Sequence, residues 1–385
     1  MKNWPTIKVA DEFNLQMGKT PARDNPAYWG GDQKWASIAD IARSGMYLSE
    51  TKEAITQEAV SESGIKAVPQ NTLVMSFKLS IGRTAITTSR MYTNEAIMAF
   101  LPHDAIAFDL HFLYHLFSNR NWSEGCNKAV KGVTLNKATL NAARIPKPCI
   151  SEQRVVASTL DKICDLISKC DEQLVRLDQL VKSRFVEMFG DVGSNPKGWP
   201  ISSLGQHIDV LAGYPFDSAQ YVASGIKICG GLIIAPDAIN WADCKYWPSV
   251  EGCEDYQLKA KDIVMALDRP WISTGFKVAM IGAEDTPALL IQRTARIRGL
   301  DFEQEFILSL LRDKAFERHC TVTGSLVPHI SHKDIQSYKV ITPPLALQRE
   351  FAAFVAKVDK LAFAARRRRD VARQLYRAKI QEFFG

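Results

Sequence analysis

The chain has 385 residues, of which 46% are hydrophobic and 23% charged, with a formal net charge of +6. That length suggests two or three domains with substantial cores, and the ordinary charge content argues against a disordered chain. The N-terminal MKNWPTIKVADEF has no apolar signal core and no apolar run nears the ~20 residues that span a bilayer, so a cytoplasmic location without a membrane is expected.

The first landmark, Trp4-Pro5, returns 195 residues on as Trp199-Pro200. Both copies then run through a short apolar segment into a glycine loop, GKTP at Gly18 to Pro21 and GYPF at Gly213 to Phe216, again in step. A repeat this long is a duplicated domain rather than a solenoid unit. In the first copy, Tyr28 to Ile41 alternates too irregularly for a helix, so loop and short strand are expected there. Two strands follow, in Ala67 to Phe77 and Ile81 to Thr88, joined across Lys78 to Ser80. The second copy repeats the order with Leu258 to Leu267 and Ser273 to Gly282, joined across Asp268 to Trp271. Helical signals come late in each copy, at Phe108 to Ser118 and Phe302 to His319. Each copy ends in a proline-terminated strand, within Lys131 to Pro148 and Thr323 to Pro344.

From Ser151 to Gly190 the pattern changes. Apolar or small residues, including Val156, Leu160, Ile163, Ile167, Leu174 and Leu177, recur alternately four and three apart, which is a coiled-coil seam. The matching positions after Gln348, among them Phe351, Val355, Val358 and Tyr376, form a second seam, so the partner of each helix is expected to be the chain's own repeat. At ~1.5 Å per residue such a helix spans roughly 50 Å, enough to hold two modules more than one DNA turn apart. The second helix also carries Arg366 to Arg369, a solvated or partner-facing cluster in the simplest reading and a phosphate contact in the sharper one.

Few motifs carry chemistry. The eight cysteines form no C-x-x-C pair, which points to reduced thiols rather than disulfides or zinc. His111 and His115 have the spacing of a zinc-binding helix, but Phe112 stands where a general-base glutamate would be, so packing or surface roles are expected. Asn25-Pro26-Ala27-Tyr28 is one residue away from the N-P-P-Y of adenine methyltransferases, yet no glycine-rich turn for S-adenosylmethionine accompanies it. Neither a phosphate-binding G-x-x-x-x-G-K-[ST] nor a G-x-S-x-G is present. What remains are basic and polar loops interleaved with aromatics. In the first copy these are Lys19, Thr20, Lys34, Trp35, Lys78, Arg83, Lys131 and Thr134. In the second they are Lys227, Arg269, Trp271, Lys277, Thr323 and Ser325, and together they are the candidate DNA contacts.

Taken jointly, GKTPARDNPAYWGGDQKW, GYPFDSAQYVASG and the proline-to-helix junctions IPKPCISEQ and ITPPLALQREF resemble the specificity (S) subunit of type I restriction-modification systems. The resemblance covers nearly the whole length. It implies an α+β protein in which two similar α/β target-recognition domains, 1–150 and 191–344, are separated by two long antiparallel coiled-coil helices, 151–190 and 345–385. It implies that each domain reads one half of a bipartite site on double-stranded DNA, and that the chain is non-catalytic and binds no cofactor itself. Two methylation (M) subunits holding S-adenosylmethionine, and restriction (R) subunits using ATP and Mg, would carry the chemistry. A self-contained DNA methyltransferase or nuclease, and a scaffold that binds only proteins, are the other readings.

Overall fold

In the computed structural model the described residues are 4–78, 80–122, 128–129, 132–133, 135–320 and 329–385, with the side chains of 128, 129, 132 and 133 excepted. They fall into two units, 1–171 with 367–385, and 172–366. Both long helices, Ile150–Phe189 and Leu345–Phe384, are 40 residues long, and each contributes one part to either unit.

Unit 1 is built on a five-stranded sheet in the order Phe13–Met17, Ile97–Pro102, Leu73–Ser76, Thr84–Thr87, Tyr47–Leu48. Leu73–Ser76 and Thr84–Thr87 are buried at every position, as apolar and β-branched runs covered on both faces should be. A second sheet sets Trp29–Ala36 between Glu53–Ile55 and Tyr92–Thr93, with Trp35 and Tyr92 in parallel register. The expected irregular segment from Tyr28 to Ile41 is instead an eight-residue strand followed by the helix Ile38–Ser44. The reason is local, because the Ser37 backbone N–H and hydroxyl both donate to Asp40, a box that starts a helix within one turn.

Unit 2 repeats the plan. Its main sheet runs Ile208–Ala212, Thr294–Gly299, Ile263–Ala266, Val278–Met280, the same order as the first four strands of unit 1. Its second sheet likewise holds a parallel pair, Lys227 with Ala288. A small hairpin, Trp271–Ile272 with Gly275–Phe276, lengthens the connection that the sequence suggested was a simple loop. The duplication is clearest in the short ribbon closing each domain, where Thr6 pairs with Pro146 and Ile201 with Ile341. Both members of the second pair lie 195 residues beyond those of the first.

The helix seams face inward. In unit 1, Val156, Leu160 and Ile163 are buried, while Ile167 and Tyr376 are half-buried. Asp171 pairs with Arg369 at 3.1 Å and Arg373 at 3.4 Å, whereas the Tyr376 hydroxyl reaches the neighbourhood of Cys164 and Asp161. Rising numbers on one helix therefore meet falling numbers on the other, an antiparallel pair. In unit 2, Phe351 and Val358 are buried, with Leu174, Leu177 and Val355 half-buried. Phe351 meets Phe185 and Phe189 edge to face, each at 5.5 Å, and Arg184 bridges to Glu350 at 2.8 Å. Five of these ten seam residues are thus buried by the fold itself and five are half-buried.

Candidate nucleic-acid interface

In each domain three connections converge at one end of the main sheet. After Phe13–Met17 the chain turns at Gly18, whose N–H donates to Ile97 O, and Lys19 N–H donates to Thr93 O. After Ile208–Ala212 the same pattern recurs, from Gly213 N–H to Thr294 O and from Tyr214 N–H to Leu290 O. The glycines are required by space. A Cβ on Gly18 would lie 2.2 Å from Asn94 O, and one on Gly213 would lie 1.9 Å from Ile291 O. The third connection joins the central strands, through Phe77 N–H to Ala96 O in the first domain and Leu267 N–H to Arg293 O in the second.

In the first domain this geometry gathers Thr20, Arg23 and Lys78 around Glu95. The Thr20 hydroxyl donates to the Glu95 carboxylate, which holds that carboxyl below its usual range, and Lys78 and Arg23 add favourable charge. Lys19 is exposed, although its ammonium donates to Ser63 O. Lys78 lies over the Phe77 ring at 5.3 Å, and Arg83 is exposed at the end of the same connection. Arg23, a residue the candidate set omitted, stacks on Trp29 at 3.8 Å and pairs with Glu53 at 2.6 Å. Its place six residues before Trp29, within a segment already rich in tryptophan, was the available signal.

Trp35 is corrected by the structure. It is 2% exposed, packs edge to face on Trp29 at 5.1 Å and donates from Nε1 to Lys19 O, so it supports the glycine loop from inside rather than facing a ligand. Lys34 is turned to the domain's own surface, donating to Ser49 O at 2.5 Å and pairing with Glu50 at 3.2 Å.

In the second domain Arg269 is exposed and Lys277 is 7% exposed, with the Arg269 guanidinium close enough to repel its ammonium. Arg293 bridges to Asp268 at 2.7 Å. Trp271 is half-buried, stacked on Phe276 at 5.0 Å, and is part of the core edge. Lys227 sits on the second sheet instead, over the Trp241 ring at 4.6 Å, donating to Glu284 O at 3.3 Å. Lys131, Thr134, Thr323 and Ser325 lie outside the described residues.

The other motifs acquire structural roles. Asn25 accepts from Ala27 N–H and starts a short turn. His111 and His115 share the carboxylate of Asp161. Among the described residues no group of three or more His, Cys, Asp or Glu is placed to hold a metal, the described cysteines are unpaired, and no helix is long and apolar enough to cross a membrane.

Comparison with known proteins agrees with this architecture. Residues 1–175 match the type I restriction modification DNA specificity domain. The MjaIX specificity subunit of a type I restriction enzyme from Methanocaldococcus jannaschii is 26% identical, over 92% of this chain and 86% of its own. The MjaVIII specificity subunit from the same organism is 22% identical, over 98% and 90%. The crystal structure of a type I restriction-modification S subunit from M. genitalium shares the fold, with a TM-score of 0.59 at 13% identity, covering 100% of this chain and 96% of that one. Residues 1–175 thus carry the type I restriction modification DNA specificity domain, and over nearly its whole length the chain is similar to type I restriction-modification specificity subunits.

Proposed function

We propose that this chain is the sequence-reading subunit of a type I restriction-modification complex, each domain reading one half of a bipartite site on double-stranded DNA. The helix pair sets the unread spacer between the halves. Adenine-N6 methylation or cleavage is then carried out by partners, two M subunits with S-adenosylmethionine and R subunits with ATP and Mg. The observation that carries this reading is one scaffold bearing two chemistries. The same three connections converge in both domains, yet they present Lys19, Arg23 and Lys78 in one and Arg269, Lys277 and Arg293 in the other. Backbone atoms hold the loops while side chains differ, as expected of readers for two unlike half-sites.

The long helices supply a second support. With their seams turned inward, they still expose Val155, Val175 and Val186 on the first and Leu361, Phe363 and Val371 on the second, at 53–65%. Exposed apolar side chains of this size suit docking of the methylation subunits. Mapping methylated adenines in host DNA with and without the gene tests the proposal. A split motif that disappears with the gene is expected. An unchanged methylation map, or S-adenosylmethionine bound by the purified chain alone, would overturn it and favour a self-contained methyltransferase.

A further inference from the structure

The turn Gly230 to Ile233 places a leucine at its tip, in a turn without positive φ that most residues can occupy. Ile233 N–H and Ile234 N–H both donate to Gly230 O, and Cys229, Ile233 and Ile234 are 0%, 6% and 1% exposed, so the turn is anchored on both sides. Leu232 at its tip is nonetheless 97% exposed. Nothing in the fold uses that side chain.

Its neighbourhood is not ordinary surface. A Cβ on Gly231 would stand 3.9 Å from the Lys277 ammonium and 3.4 Å from the Ala266 Cβ, so the turn lies against Lys277. Lys277 is 7% exposed, and among the described residues its ammonium has no carboxylate within ion-pair distance and no hydrogen-bond acceptor. The nearest acid, Asp268, is already engaged by Arg293. Burial, and then the charge of Arg269, push the Lys277 pKa down. Arg269 and Arg293 hold positive φ angles of 44° and 63°, backbone conformations that L side chains adopt at a cost. A lysine buried along its stem whose ammonium has no protein acceptor among the described residues, beside two arginines at positive φ and a turn tipped by a bare leucine, is poorly explained by stability.

We infer that Leu232 and Lys277 form one base-reading pair of the second domain, Leu232 packing on a thymine methyl and Lys277 donating to the acceptor edge of a guanine next to it. The inference rests on the DNA-reading function proposed above. The major groove presents both partners, since thymine shows a C5 methyl there and guanine shows O6 and N7. The turn and the lysine lie against each other, so their side chains can reach neighbouring base pairs. The Lys277 ammonium has no protein acceptor among the described residues to compete for it, so a base that offers an acceptor at that place replaces its water while one that does not leaves it unpaired, and that difference is discrimination.

The test replaces the chromosomal gene by alleles carrying Leu232→Ser or Lys277→Met and maps methylated adenines in each strain. The unaltered gene is expected to give a split motif with adjacent T and G in the half read by the second domain. Leu232→Ser should relax the requirement at the T, and Lys277→Met at the G, with methylation of the cognate site falling about tenfold. The other half should stay unchanged in both strains, which shows that the complex still folds and assembles. If both variants keep the full motif and extent of methylation, the pair does not read bases, while the bipartite function stands. If the unaltered gene directs no split motif, the underlying reading falls first.

Discussion

His115 and Asp161 bind across two elements of unit 1, the His115 Nε2 lying 2.8 Å from a carboxylate oxygen on the first long helix. His115 is fully buried, and its Nδ1 faces the Tyr376 hydroxyl of the second long helix at 3.1 Å. Asp161 also holds His111 at 2.6 Å, and Asn119 donates to Tyr376 at 2.9 Å. The first domain is thus seated on its helices by a polar network beside rings such as Phe112 and Phe384, 5.5 Å apart. The second domain is seated by rings, with Phe306 at 5.6 Å from Phe185 and 4.8 Å from Phe189.

The polar seat gives unit 1 a pH dependence. Burial lowers the His115 pKa against the raising effect of Asp161, so the folded chain takes up this proton less readily than the unfolded chain. Its contribution to stability is complete above the unfolded imidazole value of about 6.5, and is lost as pH falls from there towards the lower folded value. Thermal melts from pH 8 to pH 5 should show unit 1 weakening below about pH 6.5, and His115→Phe should flatten that dependence.

The aromatic seat makes a different prediction. Phe351 is fully buried against Phe185 and Phe189, so Phe351→Ala should cost about 3–5 kcal/mol in denaturant unfolding of unit 2. Phe363 lies on the same helix but is 58% exposed. Phe363→Ala should change stability by less than about 0.5 kcal/mol.

Each long helix starts on a buried glutamine. Gln153 accepts from Asp109 N–H at 2.8 Å and donates to Pro148 O and Ala107 O, while Gln348 accepts from Glu303 N–H at 3.1 Å and donates to Pro343 O. Removing either side chain leaves backbone groups without partners. Gln153→Ala should destabilise by about 3 kcal/mol and Gln348→Ala by somewhat less, read by chemical denaturation.

The repeated plan was legible in the sequence because it rests on residues with one possible use. Gly18 and Gly213 admit no side chain, and Gln153 and Gln348 serve the same junction, so their 195-residue spacing survives wherever the fold survives. The seams were legible because a helix pair demands apolar residues at fixed intervals. The interface was not. Trp35 has the composition of a ligand platform yet lies in the core, and Lys34 spends its charge on Ser49 O and Glu50. Which lysine meets a carbonyl of its own domain depends on loop paths, and composition does not encode those. Arg23 and Arg293 were overlooked because their importance comes from Trp29 stacking and Asp268 pairing, contacts made only in the fold.

The glycine loops can be tested directly. Gly18→Val and Gly213→Val would force backbone contacts of 2.2 and 1.9 Å to open, displacing the loop that carries Lys19 in one domain and Tyr214 in the other. Each should weaken DNA affinity of the assembled complex at least tenfold, measured by equilibrium titration at fixed salt, while leaving the long helices intact by circular dichroism.

Exchanging the first domain for that of a type I restriction-modification specificity subunit, with both long helices kept, and then mapping methylated adenines in the host, bears on the central claim most directly. Two independent readers on one helix frame predict a new motif in which one half changes while the other half and the spacer length stay as they were. A motif altered in both halves, or one that keeps both halves despite the exchange, would contradict the account.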